Sequence, residues 1–258
     1  EAHPRQQLAY LRWSTRHNAR VALRVIADSR ATAEDLTRFY STPPGKIDVV
    51  YPAIDPDLHR VDDEAQVATA LARHGIQRPY FLYLGTLQPR KNLIRLVEAF
   101  AASGLPDDGY SLVLAGKAGW LAEPLLAAVR GLPSAVGGRI LLPGYIGETE
   151  KNLLISGATA LVFPSLYEGF GFPVLEAQAC GVAVVCSSTS SLPEVAGEGA
   201  LLVDPLDSAV LAETMRRVAG DLNLQQNLIT AGYTNLDRFS WSDAAVRVLA
   251  ILETAAVS

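Results

Sequence analysis

From Val21 onward the chain alternates short, nearly continuous aliphatic and β-branched runs with longer stretches whose apolar positions recur at helical spacing. Such alternation marks βα units feeding a parallel sheet, and strands without internal polar positions suit burial on both faces by helices. Strands are predicted at residues 21–29 (VALRVIADS), 47–52 (IDVVYP), 80–85 (YFLYLG), 111–116 (SLVLAG), 139–144 (RILLPG), 160–165 (ALVFPS), 182–188 (VAVVCSS) and 200–204 (ALLVD). Helices fill the gaps. TAEDLTRFY offers Thr32 as an N-cap with Asp35 three residues on, and KNLIRLVEAFAAS sets Leu93, Leu96, Val97 and Phe100 on one buried stripe. Three more helical segments are expected after residue 205, the last being WSDAAVRVLAILETAAV.

The pattern breaks at YPAIDPDLHRVDDE, residues 51–64, where two prolines and five acidic residues intervene. Residues 53–64 are therefore read as an interdomain linker. Residues 65–239 carry six strands and make a complete nucleotide-binding-type domain. Residues 1–52 hold only two strands and two helices, too little for an independent core, and are read as the remnant of a second α/β unit. The final helix, 240–258, is expected to pack back on that N-terminal part. The fold class that follows is α/β: a Rossmann-like parallel sheet with helices on both faces, preceded by a partial second α/β unit.

Composition adds bounds. At 258 residues, 49% hydrophobic and 19% charged, the chain can bury a large core without disulfide or metal staples. No apolar run reaches the roughly 18 to 20 residues of a membrane span, and EAHPRQQLAY lacks the layout of a secretion signal, so a cytoplasmic protein is expected. Cys180 and Cys186 lie in or beside apolar runs and read as small core residues. Charge is uneven: six arginines against Glu1 and Asp28 give +4 over residues 1–30, leaving −9 for the rest of a chain whose total is −5. The acidic main body argues against a nucleic-acid partner. Arg12, Arg16 and Arg20 recur every four residues beside Trp13, forming either a solvated helix face or a basic stripe for an acidic partner or the inner face of a membrane.

The densest chemistry is Ser165-Leu-Tyr-Glu168-Gly-Phe-Gly-Phe-Pro173-Val-Leu-Glu176-Ala, at the carboxyl end of the strand ALVFPS. Glycines let backbone approach a ligand closely, Pro173 fits the first turn of a helix, and amides at such a junction bind anions such as a diphosphate. Two glutamates beside a diphosphate make sense as acceptors for sugar or ribose hydroxyls. Glu168 falls in the loop and Glu176 near the third helical position.

Glu168 and Glu176, with Gly169-Phe170-Gly171-Phe172-Pro173 between them, resemble the E-x7-E motif of retaining GT-B glycosyltransferases of the family 4 type. The segment from Leu84-Gly85-Thr86 through Pro89-Arg90-Lys91-Asn92-Leu93 looks like that family's first donor-side loop. Leu114-Ala-Gly116-Lys117, Leu142-Pro-Gly144-Tyr145-Ile146, Ser191-Leu-Pro-Glu194-Val195 and Leu201-Leu-Val-Asp204-Pro205 fall in the family's order, so the resemblance runs over residues 25–250. It implies that Arg90 and Lys91 stabilise the leaving diphosphate, with Gly85, Thr86 and Lys117 close by. Glu168 would hold donor-sugar hydroxyls while the amides of Gly169, Phe170 and Gly171 meet the diphosphate. Glu176 would take the ribose diol, and the backbone of Gly144, Tyr145 and Ile146 would face the base. Many relatives carry arginine where Thr86 stands here, which shifts the charge onto Arg90 and Lys91. No protein nucleophile is named.

The resemblance also implies a donor of the nucleotide-sugar class, GDP-mannose first and a UDP-hexose next, with no cofactor and no metal. The acceptor would be a glycan or lipid-linked sugar. A donor-binding module that needs a partner chain for turnover is the alternative. Plainer readings stand beside these. Glu168 could cap its helix, and Glu176 could answer the helix dipole. Lys117 could be a solvated loop residue, and Glu194 could cap its own short helix. Arg90 and Lys91 precede a helix, where cations are disfavoured, so a bound anion explains them better. Asp55-Pro-Asp57 formally matches a metal-binding D-x-D but lies in the linker, and His3, His17, His59 and His74 lack ligand spacing. No G-x-G-x-x-G opens a helix after an early strand, and no G-x-S-x-G occurs.

Overall fold

The computed structural model describes residues 5–257. In chain order the first part comprises α1 (Arg5–Val21), β1 (Val25–Ala27), α2 (Arg30–Tyr40) and β2 (Ile47–Val49). The main unit follows as α3 (Glu64–Arg73), β3 (Tyr80–Leu84), α4 (Leu93–Ala102), β4 (Ser111–Ala115), α5 (Glu123–Arg130), α6 (Ser134–Gly137), β5 (Ile140–Gly144), α7 (Glu148–Ser156) and β6 (Ala160–Phe163). It ends with α8 (Phe172–Ala179), β7 (Ala183–Ser187), α9 (Leu192–Ala196), β8 (Ala200–Val203), α10 (Ser208–Gly220), α11 (Leu222–Leu236) and α12 (Trp241–Val257).

Each predicted strand is present, though shorter than its apolar run. β3 to β8 form one parallel sheet in the order β5-β4-β3-β6-β7-β8, so the direction of winding reverses between β3 and β6. Phe81, Leu82, Tyr83, Leu112, Val113, Leu161 and Phe163 are inaccessible, as strands covered on both faces require. In α4 the stripe of Leu93, Leu96, Val97 and Phe100 is buried as its spacing predicts, each side chain contributing about 1.5–3 kcal/mol.

Two helix starts differ from expectation. α2 begins at Arg30, because Ser29, in extended backbone, accepts the Thr32 amide at 3.0 Å and is the N-cap in place of Thr32. Asp35 caps nothing; it accepts the Tyr167 hydroxyl instead. The helix read from Lys91 starts at Leu93. Pro89–Lys91 form a 3-10 turn, and Asn92 (φ 60°) breaks the run, its side chain donating to the carbonyls of Pro164 and Pro205.

β1 and β2 pair in parallel, Val25 opposite Ile47, as a separate two-stranded sheet. Val21, Leu23, Ile26 and Phe39 remain exposed there. The stretch read as a linker is no free tether: Ala53 is buried, Ile54, Leu58 and Val61 pack on the main core, and the Val61 amide donates to Ser156. α12 returns along this stretch, where Trp241 Nε1 donates to the Ile54 carbonyl, and reaches the first part through Arg247, which donates to the Val49 carbonyl at the end of β2. Tyr51 packs on Phe239 and Phe170, joining the two parts through aromatic rings.

Candidate functional site

Where winding reverses in an open parallel sheet, the loops at the carboxyl ends of the two central strands diverge and leave a crevice, the usual ligand position in such folds. Here that crevice lies between β3 and β6. The loop after β3 supplies Arg90 and Lys91, and the loop after β6 supplies Glu168. Lys91 Nζ lies 2.5 Å from Glu168 Oε1, and an Arg90 guanidinium nitrogen lies 2.6 Å from Oε2 and donates to the Tyr167 carbonyl. Both Lys91 and Glu168 are buried, and the ammonium also sits 4.8 Å above the Phe163 ring. Burial pushes the Lys91 ammonium below its ordinary pKa against the pull of Glu168. The two cations thus have Glu168 as an anion within the protein, a partner that their place before a helix did not suggest, and among the described residues the Glu168 carboxylate caps no helix.

Strand-end loops mesh tightly around this cluster. The Gly85 amide donates to Ala115 and the Gly116 amide to Gly144. Gly116 has φ +147°, and a Cβ there would stand 2.0 Å from the Gly85 oxygen, so only glycine fits. Tyr83 OH, pushed well above its usual pKa by burial and by Glu168, donates to the Thr86 carbonyl. On the β6 side Ser191 Oγ donates to the carbonyls of Glu168 and Phe170, and the Glu168 amide donates to Ser190 Oγ. Among the described residues the amides of Gly169, Phe170 and Gly171 have no acceptor. Gly171 (φ +117°) turns the chain into α8. The Phe170 side chain itself is buried against Tyr51, Phe172 and Phe239, so only its backbone is available to a ligand.

Glu176 sits at the fifth position of α8 rather than the third. It is not a free dipole-facing carboxylate: Lys151 of α7 lies 3.0 Å away and also 2.6 Å from Glu148. These partners hold the Lys151 pKa up despite its burial. Lys117 lies over the Tyr145 ring, 4.7 Å from its centroid, while Ile146 is buried and offers only backbone. Glu194 caps another helix than its own. Its carboxylate accepts the amides of Arg30 and Ala31 at the start of α2, bridging the main unit to the first part.

Sequence reading assigned no role to Lys151, Ser190, Ser191 or Tyr167. The serine run before Leu192 was a visible signal for a loop-pinning role, whereas nothing local paired Lys151 with a residue 25 positions away. Asp55 accepts the Asp57 amide within a turn, His17 stacks on Trp13, His59 meets the Asp57 carbonyl and His74 meets Glu150. His3 lies outside the described residues. A neighbouring cavity of about 490 Å³ behind the 87–93 loop is lined mainly by apolar side chains such as Leu87, Leu93, Leu121 and Leu125, and does not contain the Glu168 cluster.

Arranged in this way, paired cations, unengaged loop amides and two carboxylates can bind a diphosphate with sugars on either side. Comparison with known proteins identifies the family. Residues 70–235 match the family described as glycosyl transferases group 1. The chain is 30% identical to O-antigen chain mannosyltransferase B of Escherichia coli, over 96% of this chain and 65% of the relative. It is 28% identical to the serotype-specific mannosyltransferase WbdA of E. coli, over 86% of this chain and 27% of the relative. Among solved structures, sucrose-phosphate synthase from Thermosynechococcus elongatus superposes with a TM-score of 0.81 at 25% identity, over 97% of this chain and 63% of the other. Anabaena HepE in complex with UDP-glucose superposes at 0.83 and 19% identity, over 95% and 68%, a likeness of fold.

Proposed function

This chain belongs to the group 1 glycosyl transferases, and from that premise we propose that it transfers a hexose from a nucleotide sugar to a glycan or lipid-linked acceptor with retention of configuration. The observation that carries the proposal is the Arg90–Glu168–Lys91 cluster at the reversal of the sheet. As the donor enters, its diphosphate takes over the two cations and the amides of residues 169–171. Glu168 is released to accept hydroxyls of the sugar. Departure of the nucleoside diphosphate builds negative charge beside Arg90 and Lys91, so their attraction strengthens toward the transition state, the condition for a gain in rate. Positive charge from these side chains is what the scheme requires; it calls for no metal and no cofactor. Glu176, oriented by Lys151, takes the ribose diol, and the backbone at Gly144–Ile146 faces the base.

GDP-mannose is the first donor we propose, and a UDP-hexose the second; the names of the E. coli relatives support mannose as the sugar and do not specify the nucleotide. The acceptor would be a growing polysaccharide. Purified protein incubated with GDP-mannose or UDP-glucose, read by thermal shift and nucleotide release, tests this. Absence of stabilisation by either donor would sink it. Exposed Leu23, just before β1, and Ile26 within it favour a second reading, a donor-binding module whose turnover needs further polypeptide covering that strand. Stabilisation without release, with release restored by an added partner domain, would select the module.

A further inference from the structure

Beside the Glu168 loop, α1 and α2 enclose a second cleft of about 810 Å³, lined by Arg12, Trp13, Arg16, Asp35, Phe39, Tyr40 and Tyr167. It adjoins the donor crevice through Tyr167, whose carbonyl is held by Arg90 and whose ring forms one wall. Arg12 and Arg16 stand one helical turn apart on α1, and among the described residues neither has a carboxylate within ion-pair distance. Trp13 and Phe39 are both more than half exposed; His17 stacks on one side of Trp13 and the Arg38 guanidinium lies over one side of Phe39, so the opposite face of each ring is the apolar one open to a ligand. Asp35 is fixed by the Tyr167 hydroxyl at 2.7 Å, which aims a hydroxyl acceptor into the same cleft.

Resting on the glycosyl-transfer reading above, we infer that this cleft is an acceptor subsite for a phosphorylated sugar. Each part of such a ligand has a counterpart. The phosphoryl group suits two planar guanidinium forks, which bind it at two oxygens each. The C–H face of a pyranose suits Trp13 or Phe39, and ring hydroxyls suit Asp35. A flat anionic lipid surface fits less well, because it has no use for a concavity of ligand size.

Isothermal titration of the chain with mannose 1-phosphate, methyl α-mannoside and inorganic phosphate tests the inference. Mannose 1-phosphate is expected to bind at least about tenfold more tightly than either other probe. The double variant R12A/R16A should lose that advantage, and Asp35→Asn should weaken mannose 1-phosphate without affecting phosphate. Equal affinity for the neutral and phosphorylated sugars, or an unchanged advantage in R12A/R16A, overturns it. So does binding to vesicles containing phosphatidylglycerol with no response to mannose 1-phosphate, which would assign the arginines to a lipid surface. Stabilisation by GDP and UDP is followed in the same samples. If it persists while sugar phosphate fails to bind, only the acceptor subsite falls; if it is absent from the unaltered chain, the glycosyl-transfer reading falls as well.

Discussion

Lys91 and Glu168, 77 residues apart in sequence, form an ion pair of 2.5 Å in which each side chain is only 9% exposed. Removing one partner of a buried pair strands the other charge, at a cost of about 3–5 kcal/mol. Glu168→Ala should therefore lower unfolding free energy by about 3 kcal/mol in urea titrations. The double variant K91M/E168L should lose clearly less than the sum of its singles. Additivity of the two changes would show that the pair carries no coupling.

Lys91→Ala should reduce turnover about 100-fold or more, since its charge acts where negative charge develops, while donor affinity falls far less. Steady-state kinetics beside calorimetric donor binding separates the two effects. Equal loss in both would assign Lys91 to ground-state binding.

The pH response follows from the same burial. Lys91 titrates below its ordinary 10.5 in the folded chain, so between the folded and unfolded values the unfolded state binds more protons. Within that alkaline window the contribution of this group to stability rises with pH, whereas turnover, which needs the cation, falls. In rate profiles the alkaline limb should lie below pH 10.5 and shift upward in Lys91→Arg, whose guanidinium stays charged.

Glu176→Ala should weaken binding of GDP or UDP itself about tenfold, and Lys151→Met should do so to a smaller degree by releasing Glu176 from its place. Glu168→Ala should instead discriminate among donor sugars at similar nucleotide affinity. Titration of each variant with free nucleotide and with nucleotide sugar checks the assignments, and swapped results would reverse them.

Across the two parts of the molecule, Glu194→Ala removes the acceptor of the Arg30 and Ala31 amides at the start of α2, leaves the Ser29 cap in place, and should cost about 1 kcal/mol. Gly116→Ala forces a Cβ onto the Gly85 carbonyl and should cost more than about 2 kcal/mol, with loss of nucleotide binding. Chemical denaturation of both variants measures the difference; a neutral Gly116→Ala would mean that the two loops can part without penalty.

Period and composition were enough to locate the eight strands, the buried stripe of α4 and the three closing helices, because these depend on residues within a turn or two of one another. Motif order was enough to nominate Arg90, Lys91, Glu168 and Glu176. Tertiary structure alone decided what those residues touch. The start of α2 turned on a single hydrogen bond, the one that makes Ser29 the cap instead of Thr32, and that of α4 on the left-handed Asn92. The partnership of Glu168 with two cations arises from strand order, that of Glu176 with Lys151 from the meeting of α7 and α8, and that of Glu194 with a helix 163 residues or more away from the approach of the first part to the main unit. Which strands become neighbours is set by how helices of matching apolar faces cover the sheet, a long-range balance of burial that no local pattern encodes, and only that order brings the loops after β3 and β6 to one crevice.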